Sequence, residues 1–262
     1  MEITVKRKTV FAATGGRPFD PALPAVVFLH GAGLDHTVWA LQTRYFAYRN
    51  RSVLALDLPG HGKSKGPALK SVPAIADWVI AVLDALGVER AALVGHSMGA
   101  LAALDAAGRH GARVSHLALL GVAGAMPVHP DLLASAKADD HLAFDLVTSW
   151  GHGPVGHLGG NRAPGLWIMG GGERLLERAR PGVLYHDLAA CNAYKNAPGL
   201  APEIAAPCLL VLGADDRMTP AKAGQKLAAM IPGARVELLA GCGHMMMTEK
   251  PDLTLDALKG FL

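Results

Sequence analysis

The chain has 262 residues, of which 51% are hydrophobic and 18% charged, with a formal net charge of +3. That length allows one large α/β domain with an inserted piece, and that composition excludes an intrinsically disordered chain. The mild positive charge is scattered and offers no basic face for nucleic acid. Its densest run, Lys6-Arg7-Lys8, is assigned to an edge strand.

The first residues, Met1-Glu2-Ile3-Thr4-Val5-Lys6, contain no apolar h-region, so no signal peptide is expected. The longest apolar run, 117–128, holds a proline and is too short to span a bilayer. Cys191, Cys208 and Cys242 are isolated and odd in number, which fits reduced thiols rather than a disulfide frame. A soluble, cytoplasmic protein with no membrane partner is the expectation.

Residues 2–14 alternate in polarity and end at Gly15-Gly16, as an edge strand or hairpin does. Residues 25–29, Ala-Val-Val-Phe-Leu, form a continuous apolar run suited to a strand buried on both faces. The run ends at His30-Gly31-Ala32-Gly33, and a short helix is expected over 37–48. The next strand, 52–56, runs into the glycine- and proline-built turn Asp57-Leu58-Pro59-Gly60-His61-Gly62-Lys63-Ser64. Val72, Ile75, Val79, Val82, Leu83 and Leu86 recur at helical spacing. Ser71 is placed to cap that helix, Pro73 falls in its first turn, and Gly87 stops it. A strand over 91–94, the segment Gly95-His96-Ser97-Met98-Gly99, a helix over 100–107 and a strand over 116–120 follow.

Strand and helix thus alternate, which predicts a mostly parallel, doubly wound sheet of the α/β class. Sites in such sheets lie beyond the carboxyl ends of the strands. The alternation stops between about 124 and 207. Helices are expected there over 131–147, 173–180 and 184–194, around a glycine-rich stretch at 150–172. A structureless loop of that length is improbable in a compact domain. The region therefore reads as a helical lid, 125–206, inserted into a core of 1–124 and 207–262. The sheet resumes with strands over 207–212 and 235–239, and a last helix occupies 251–262.

Gly95-His96-Ser97-Met98-Gly99 carries the chemistry. A serine between a strand and a helix, flanked by glycines, fits the G-x-S-x-G turn that pushes a hydroxyl out of the sheet. Such a hydroxyl needs a base, and the base needs an orienting acid. His244, in Gly241-Cys242-Gly243-His244 after the last strand, has the position for the base. Asp215 and Asp216, past the strand ending at Leu212, have the position for the acid. Gly31-x-Gly33 lacks the third glycine of a dinucleotide fingerprint, because position 36 is histidine.

With Ser97, an aspartate and His244 in that order, the sequence resembles the α/β-hydrolase fold superfamily, in its compact, lidded branch of serine esterases. The residues that carry the resemblance are His30-Gly31, 57–64, 95–99, 213–220, and Gly243-His244 with Glu249 and Pro251. The resemblance implies Ser97 as nucleophile, His244 as base and, through the frame G-x-x-D-x-x-x-P from Gly213 to Pro220, Asp216 as acid in preference to Asp215. It implies an oxyanion hole at the N–H groups of Met98 and Ala32, with Gly33 as second choice. Gly31, Gly33, Trp150 and Trp167 are assigned to substrate contact, with lid packing the alternative for the tryptophans. His30, His61 and His96 are assigned to positioning. No metal or organic cofactor is expected, since the histidines show no ligand spacing. The implied partner is a small-molecule ester, and a homodimer is left open. The implied activity is ester hydrolysis through an acyl-enzyme. Lactone or carbon–carbon bond hydrolysis on the same residues, and a non-catalytic small-ligand receptor, are the alternatives.

Overall fold

A computed structural model describes residues 1–157 and 167–262 of the chain. It begins with a hairpin, β1 (Glu2–Val5) and β2 (Lys8–Ala13). Lys6 and Arg7 form its turn, both with positive φ (47° and 65°). The basic run therefore supplies the two-residue turn, with Lys8 opening β2. The primed geometry matches the twist of the flanking strands even without the asparagine or glycine that usually signals it.

Then follow β3 (Ala25–Leu29), a 3-10 turn (His36–Trp39), α1 (Ala40–Ala47), β4 (Ser52–Leu56), α2 (Val72–Ala85), β5 (Ala91–His96), α3 (Met98–Arg109) and β6 (Val114–Leu120). Ser71 Oγ accepts from Ala74 N at 3.3 Å and so starts α2, while Gly87, at φ +65°, ends it. After the helical region the chain forms β7 (Cys208–Gly213), α10 (Ala221–Ala228), β8 (Arg235–Leu239), α11 (Met246–Glu249) and α12 (Pro251–Lys259).

The described strands form one sheet in the order β1-β2-β4-β3-β5-β6-β7-β8. From β4 to β8 all neighbours run parallel, and β1 and β2 are antiparallel at the edge. Each inner strand is buried on both faces, so alternate residues feed two cores. Val27, Leu29 and Leu93 pack with α2 and α3 on one side; Val26, Phe28 and Val94 pack with α1 on the other. The registers Leu29↔Leu56, Leu29↔Gly95, Gly95↔Leu119, Leu120↔Val211 and Gly213↔Leu239 bring the carboxyl ends onto one edge. Strand order reverses between β3 and β5, which opens a crevice there. No described helix is long and apolar enough to cross a membrane.

Between β6 and β7 lie α4 (Pro130–Lys137), α5 (Leu142–Gly151), α6 (Pro154–His157), α7 (Ile168–Glu177), α8 (Val183–Ala193) and α9 (Ala197–Leu200). α4 packs on α5 and α8, and α8 and α9 pack on α3. Helix α7 begins before the expected 173 and runs through Gly170-Gly171-Gly172. Glycine costs a helix interior roughly 1 kcal/mol per residue. At Gly170 the Trp167 ring occupies the space a Cβ would need, whereas a Cβ at Gly171 would meet nothing and one at Gly172 would make only ordinary contact with His152.

The turn between β5 and α3 is closely packed. A Cβ on Gly99 would strike the Leu29 and His30 carbonyl oxygens, and one on Gly95 would strike Gly99 O. These contacts are backbone on backbone and have little freedom to relax. Gly99→Ala should therefore lower the thermal midpoint by about 5 °C or more, the effect of overpacking by roughly 2 kcal/mol. An unchanged midpoint in a calorimetric scan would contradict this packing.

Candidate active site

Ser97 sits on that turn with φ 53° and ψ −117°. A non-glycine residue in this region stores roughly 1–3 kcal/mol of strain. Three hydrogen bonds hold it: Ser97 N donates to Leu120 O at 2.9 Å, and Ser97 O accepts from Ala100 N at 2.9 Å and Leu101 N at 3.1 Å.

His244 and Asp216 lie on the loops after β8 and β7. His244 Nδ1 and Asp216 Oδ2 are 2.8 Å apart. Asp216 Oδ1 accepts from the backbone N–H of Met218 and of Thr219, both at 2.8 Å, and Thr219 Oγ1 donates to Oδ2 at 2.7 Å. Burial opposes ionisation of Asp216, but His244 and the Thr219 hydrogen bonds outweigh it and hold the carboxyl below its ordinary value. With Nδ1–H committed to Asp216, Nε2 of a neutral His244 is the acceptor. Asp215 is exposed, and its N–H donates to Cys242 O at 2.9 Å.

The His244 loop is held from three sides. Gly151 O accepts from His244 N at 2.9 Å, and His96 Nε2 donates to His244 O at 3.0 Å. Glu249 accepts from Gly153 N, Gly243 N and Met245 N at 2.8–3.1 Å. Glu249 thus ties the end of α5 to the loop that carries the imidazole.

The loop after β3 faces Ser97. Among the described residues neither the Ala32 nor the Met98 N–H has a hydrogen-bond partner, while Gly33 N donates to Asp187 Oδ2 at 2.9 Å. The same oxygen accepts from His61 Nε2 at 2.7 Å, and His61 Nδ1 lies 3.1 Å from Pro59 O. Both nitrogens of His61 face acceptors, an arrangement that favours the doubly protonated ring. Burial pushes His61 down, but the charge and hydrogen bond of Asp187 outweigh it and hold the ring above its ordinary value. His30 does the opposite 4.8 Å away. Its Nδ1 donates to Gly31 O and its Nε2 accepts from Leu58 N, which requires the neutral ring, and burial with the adjacent His61 lowers it to about 4. Burial, then the nearby His244, pushes His96 well below its ordinary value. Asp187 belongs to no motif. Its only trace in the sequence is an acid in the otherwise largely apolar run of α8.

A cavity of about 370 Å³ opens over these groups, with Ser97, His244, Ala32, Trp150, Leu184 and Arg217 in its wall. Of the residues assigned to substrate contact, Trp150 lines it, while Gly31, Gly33 and Trp167 do not. Gly31 abuts the His96 ring and Ser97 Cβ, and Gly33 abuts Leu176 and Leu184. Trp167 is 57% exposed at the start of α7. Spacing alone carries no information on which way such a tryptophan turns. The Met98 side chain is fully buried in the core, so at the cavity only its N–H is available. Cys191 was no candidate from the sequence, yet it lines the cavity as a buried thiol whose ionisation burial suppresses.

Among the described residues two groups have the ligand geometry for a cation: Asp35 with His36 and Asp57, and His141 with Glu173 and Glu177. In the first, Asp57 Oδ1 already accepts from His36 N and Nδ1, Oδ2 from Lys63 N, and Asp35 Oδ1 from Thr37. In the second, His141, Glu177 and Arg174 form an exposed ion-pair group. Local hydrogen bonding accounts for both.

The sequence profile of the alpha/beta hydrolase family matches residues 26–257. The chain is 31% identical to a pimeloyl-[acyl-carrier protein] methyl ester esterase of Aromatoleum aromaticum, over 87% of this chain and 94% of that one. It is 29% identical to a 2-hydroxy-6-oxo-6-phenylhexa-2,4-dienoate hydrolase of Burkholderia cepacia, over 89% and 87%. The enol-lactonase of Burkholderia xenovorans LB400 superposes with a TM-score of 0.88 at 23% identity, covering 100% and 99% of the two chains, which speaks for the fold alone.

The His61–Asp187 pair has a signature in solution. Because folding raises the titration of His61, its contribution to stability is complete below about pH 6.5 and fades as pH climbs through the folded value. Asp187→Asn should cost about 3 kcal/mol at pH 6 and distinctly less at pH 9. Urea titrations at the two pH values measure this, and an equal loss at both would sink the ion-pair assignment.

Proposed function

The chain belongs to the alpha/beta hydrolase family, and from that premise we propose that it is a serine hydrolase cleaving carboxylic esters of small to medium size through an acyl-enzyme. The observation that carries the proposal is His244, bonded through Nδ1 to buried Asp216 and sharing one cavity wall with the strained Ser97. The relatives' names point the same way, one being a methyl ester esterase.

In this reading Ser97 Oγ attacks the ester carbonyl while His244 Nε2 takes its proton. Asp216 holds the imidazole in the Nδ1–H tautomer and stabilises the imidazolium. The oxyanion of the tetrahedral intermediate lies between the N–H groups of Ala32 and Met98, the two without other partners. Such a donor contributes about 10²–10³ in turnover. His244 then protonates the leaving alcohol and activates the water that releases the acid. The strain at Ser97 is offset by the packing around Gly95 and Gly99, so the hydroxyl needs no reorganisation to present itself.

The helices of 125–206 act as the lid of this site, because Trp150, Leu184 and Leu188 supply cavity wall opposite the sheet edge. The buried, unpaired thiols support a cytoplasmic setting. Lactone hydrolysis is the second reading. A lactone is a cyclic ester, and the residues that open it are the same; an enol-lactonase shares the fold. Carbon–carbon bond hydrolysis on the same nucleophile and base is a further alternative, and a 2-hydroxy-6-oxo-6-phenylhexa-2,4-dienoate hydrolase is among the relatives.

Ser97→Ala should lower kcat on p-nitrophenyl butyrate by at least about 10³-fold with the thermal midpoint preserved, and Asp216→Asn by about 10²–10⁴-fold. A fluorophosphonate should label the wild type and not Ser97→Ala. Wild-type turnover by purified Ser97→Ala would refute the assignment. Labelling without multiple turnover would favour the receptor alternative.

A further inference from the structure

The wall of the cavity carries information about the substrate that the catalytic groups do not. Its body is apolar, with Leu132, Val147, Leu184, Leu188 and Met218. Among the described residues no aspartate or glutamate lines it, and Arg217 is its one fixed cation. Burial and the neighbouring His244 hold the lining His96 neutral.

Arg217 is exposed at the rim. Its main chain is fixed, because Asp216 Oδ1 clamps the N–H groups of Met218 and Thr219 on its far side. Its side chain is not: the guanidinium has no ion pair among the described residues, and 158–166 contains no acid. Arg109, Arg113 and Arg174 do pair, with Asp77 and Asp105, Asp84, and Glu177. The carboxylates nearest in sequence are otherwise placed. Asp216 is committed to His244 and the Thr219 turn, and Asp215 stands exposed without reaching Arg217. An unpaired guanidinium at the mouth of an apolar cavity draws an anion to that mouth, and its planar fork matches a carboxylate with two parallel hydrogen bonds. A cationic chain end would meet repulsion and no partner.

On the ester-hydrolase reading above, we propose that the substrates are esters with an apolar body and a free carboxylate at the far end, held at the rim by Arg217. The apolar part fills the cavity below, the ester lies at Ser97, and the charged end stays at the mouth, where desolvation is small. Arg217 is then a specificity residue: it takes no part in bond making, and it acts on the choice between charged and neutral esters of equal length.

The experiment compares a series of p-nitrophenyl hemiesters of linear dicarboxylic acids with the neutral p-nitrophenyl esters of equal chain length. A phosphate-ended ester is a third arm, and the assays run at pH 8 so that free imidazoles are uncharged. The readout is the ratio of kcat/KM for the charged over the neutral ester. The wild-type ratio should exceed that of Arg217→Ala by about 10-fold at the best-fitting chain length, the worth of one partly exposed charge-assisted contact. The difference should reside in KM, shrink in Arg217→Lys by less than in Arg217→Ala, turn against the charged ester in Arg217→Glu, and weaken in 0.5 M salt (on the order of the screening expected for a rim charge). The proposal is overturned if the ratio is the same in wild type and Arg217→Ala, or if the phosphate-ended ester is preferred over every carboxylate. If the wild type turns over no ester and a fluorophosphonate leaves Ser97 unlabelled, the hydrolase reading fails first, a result distinct from turnover without charge preference.

Discussion

The close approach of two backbones at Gly95 and Gly99 is the constraint on which the rest depends. Gly99 rests on the carbonyls of Leu29 and His30, and Gly95 on the carbonyl of Gly99. No side chain larger than hydrogen fits at either point. That contact lets α3 start directly above the β3–β5 crevice, holds Ser97 in an unfavourable backbone region, and brings the loop after β3 beside it. A parallel sheet with aligned carboxyl ends then leaves one place where residues from β5, β7 and β8 meet.

Around that point the same side-chain type is pushed in opposite directions within a few ångströms. His30 and His61 have rings 4.8 Å apart, yet one is pulled down and the other held up. Desolvation acts on both in the same direction. The partners decide: His30 accepts a backbone N–H, which only a neutral ring can do, whereas His61 meets a carboxylate. Asp187 then joins His61, the loop after β3 and helix α8 through one oxygen. The N–H pattern of the loop after β3 is thereby tied to helix α8, so cavity shape and loop geometry are not independent.

Much of the architecture was legible because the inner strands are buried on both faces. Residues 25–29, 52–56 and 208–213 read as apolar runs between glycines and prolines, and no helix period competes with them. The hairpin turn at Lys6-Arg7 was not legible, since left-handed φ at two basic residues has no composition signal. Nor was the start of α7, which runs through three consecutive glycines that helix propensity disfavours. The orientation of Trp167 and the part played by Asp187 were equally hidden. Both depend on how one helix lies against another, and neighbours in sequence do not encode that distance.

By itself the sequence determined the order of strands and helices, the glycine-flanked turn at Ser97, and the strand ends that present Asp215, Asp216 and His244. Those are local properties of composition, period and turn chemistry, each legible within a window of a few residues. The resemblance already preferred Asp216 to Asp215 and Ala32 to Gly33; only the tertiary structure supplied the contacts, turning the Asp216 carboxylate to His244, occupying Gly33's N–H while leaving Ala32's open, and leaving Arg217 unpaired at the rim of an apolar cavity. Each of these is a matter of angle and distance between groups 28 to 154 positions apart, or of a partner that fails to arrive. Side-chain hydrogen bonds over such separations exist only once the sheet has aligned its strand ends.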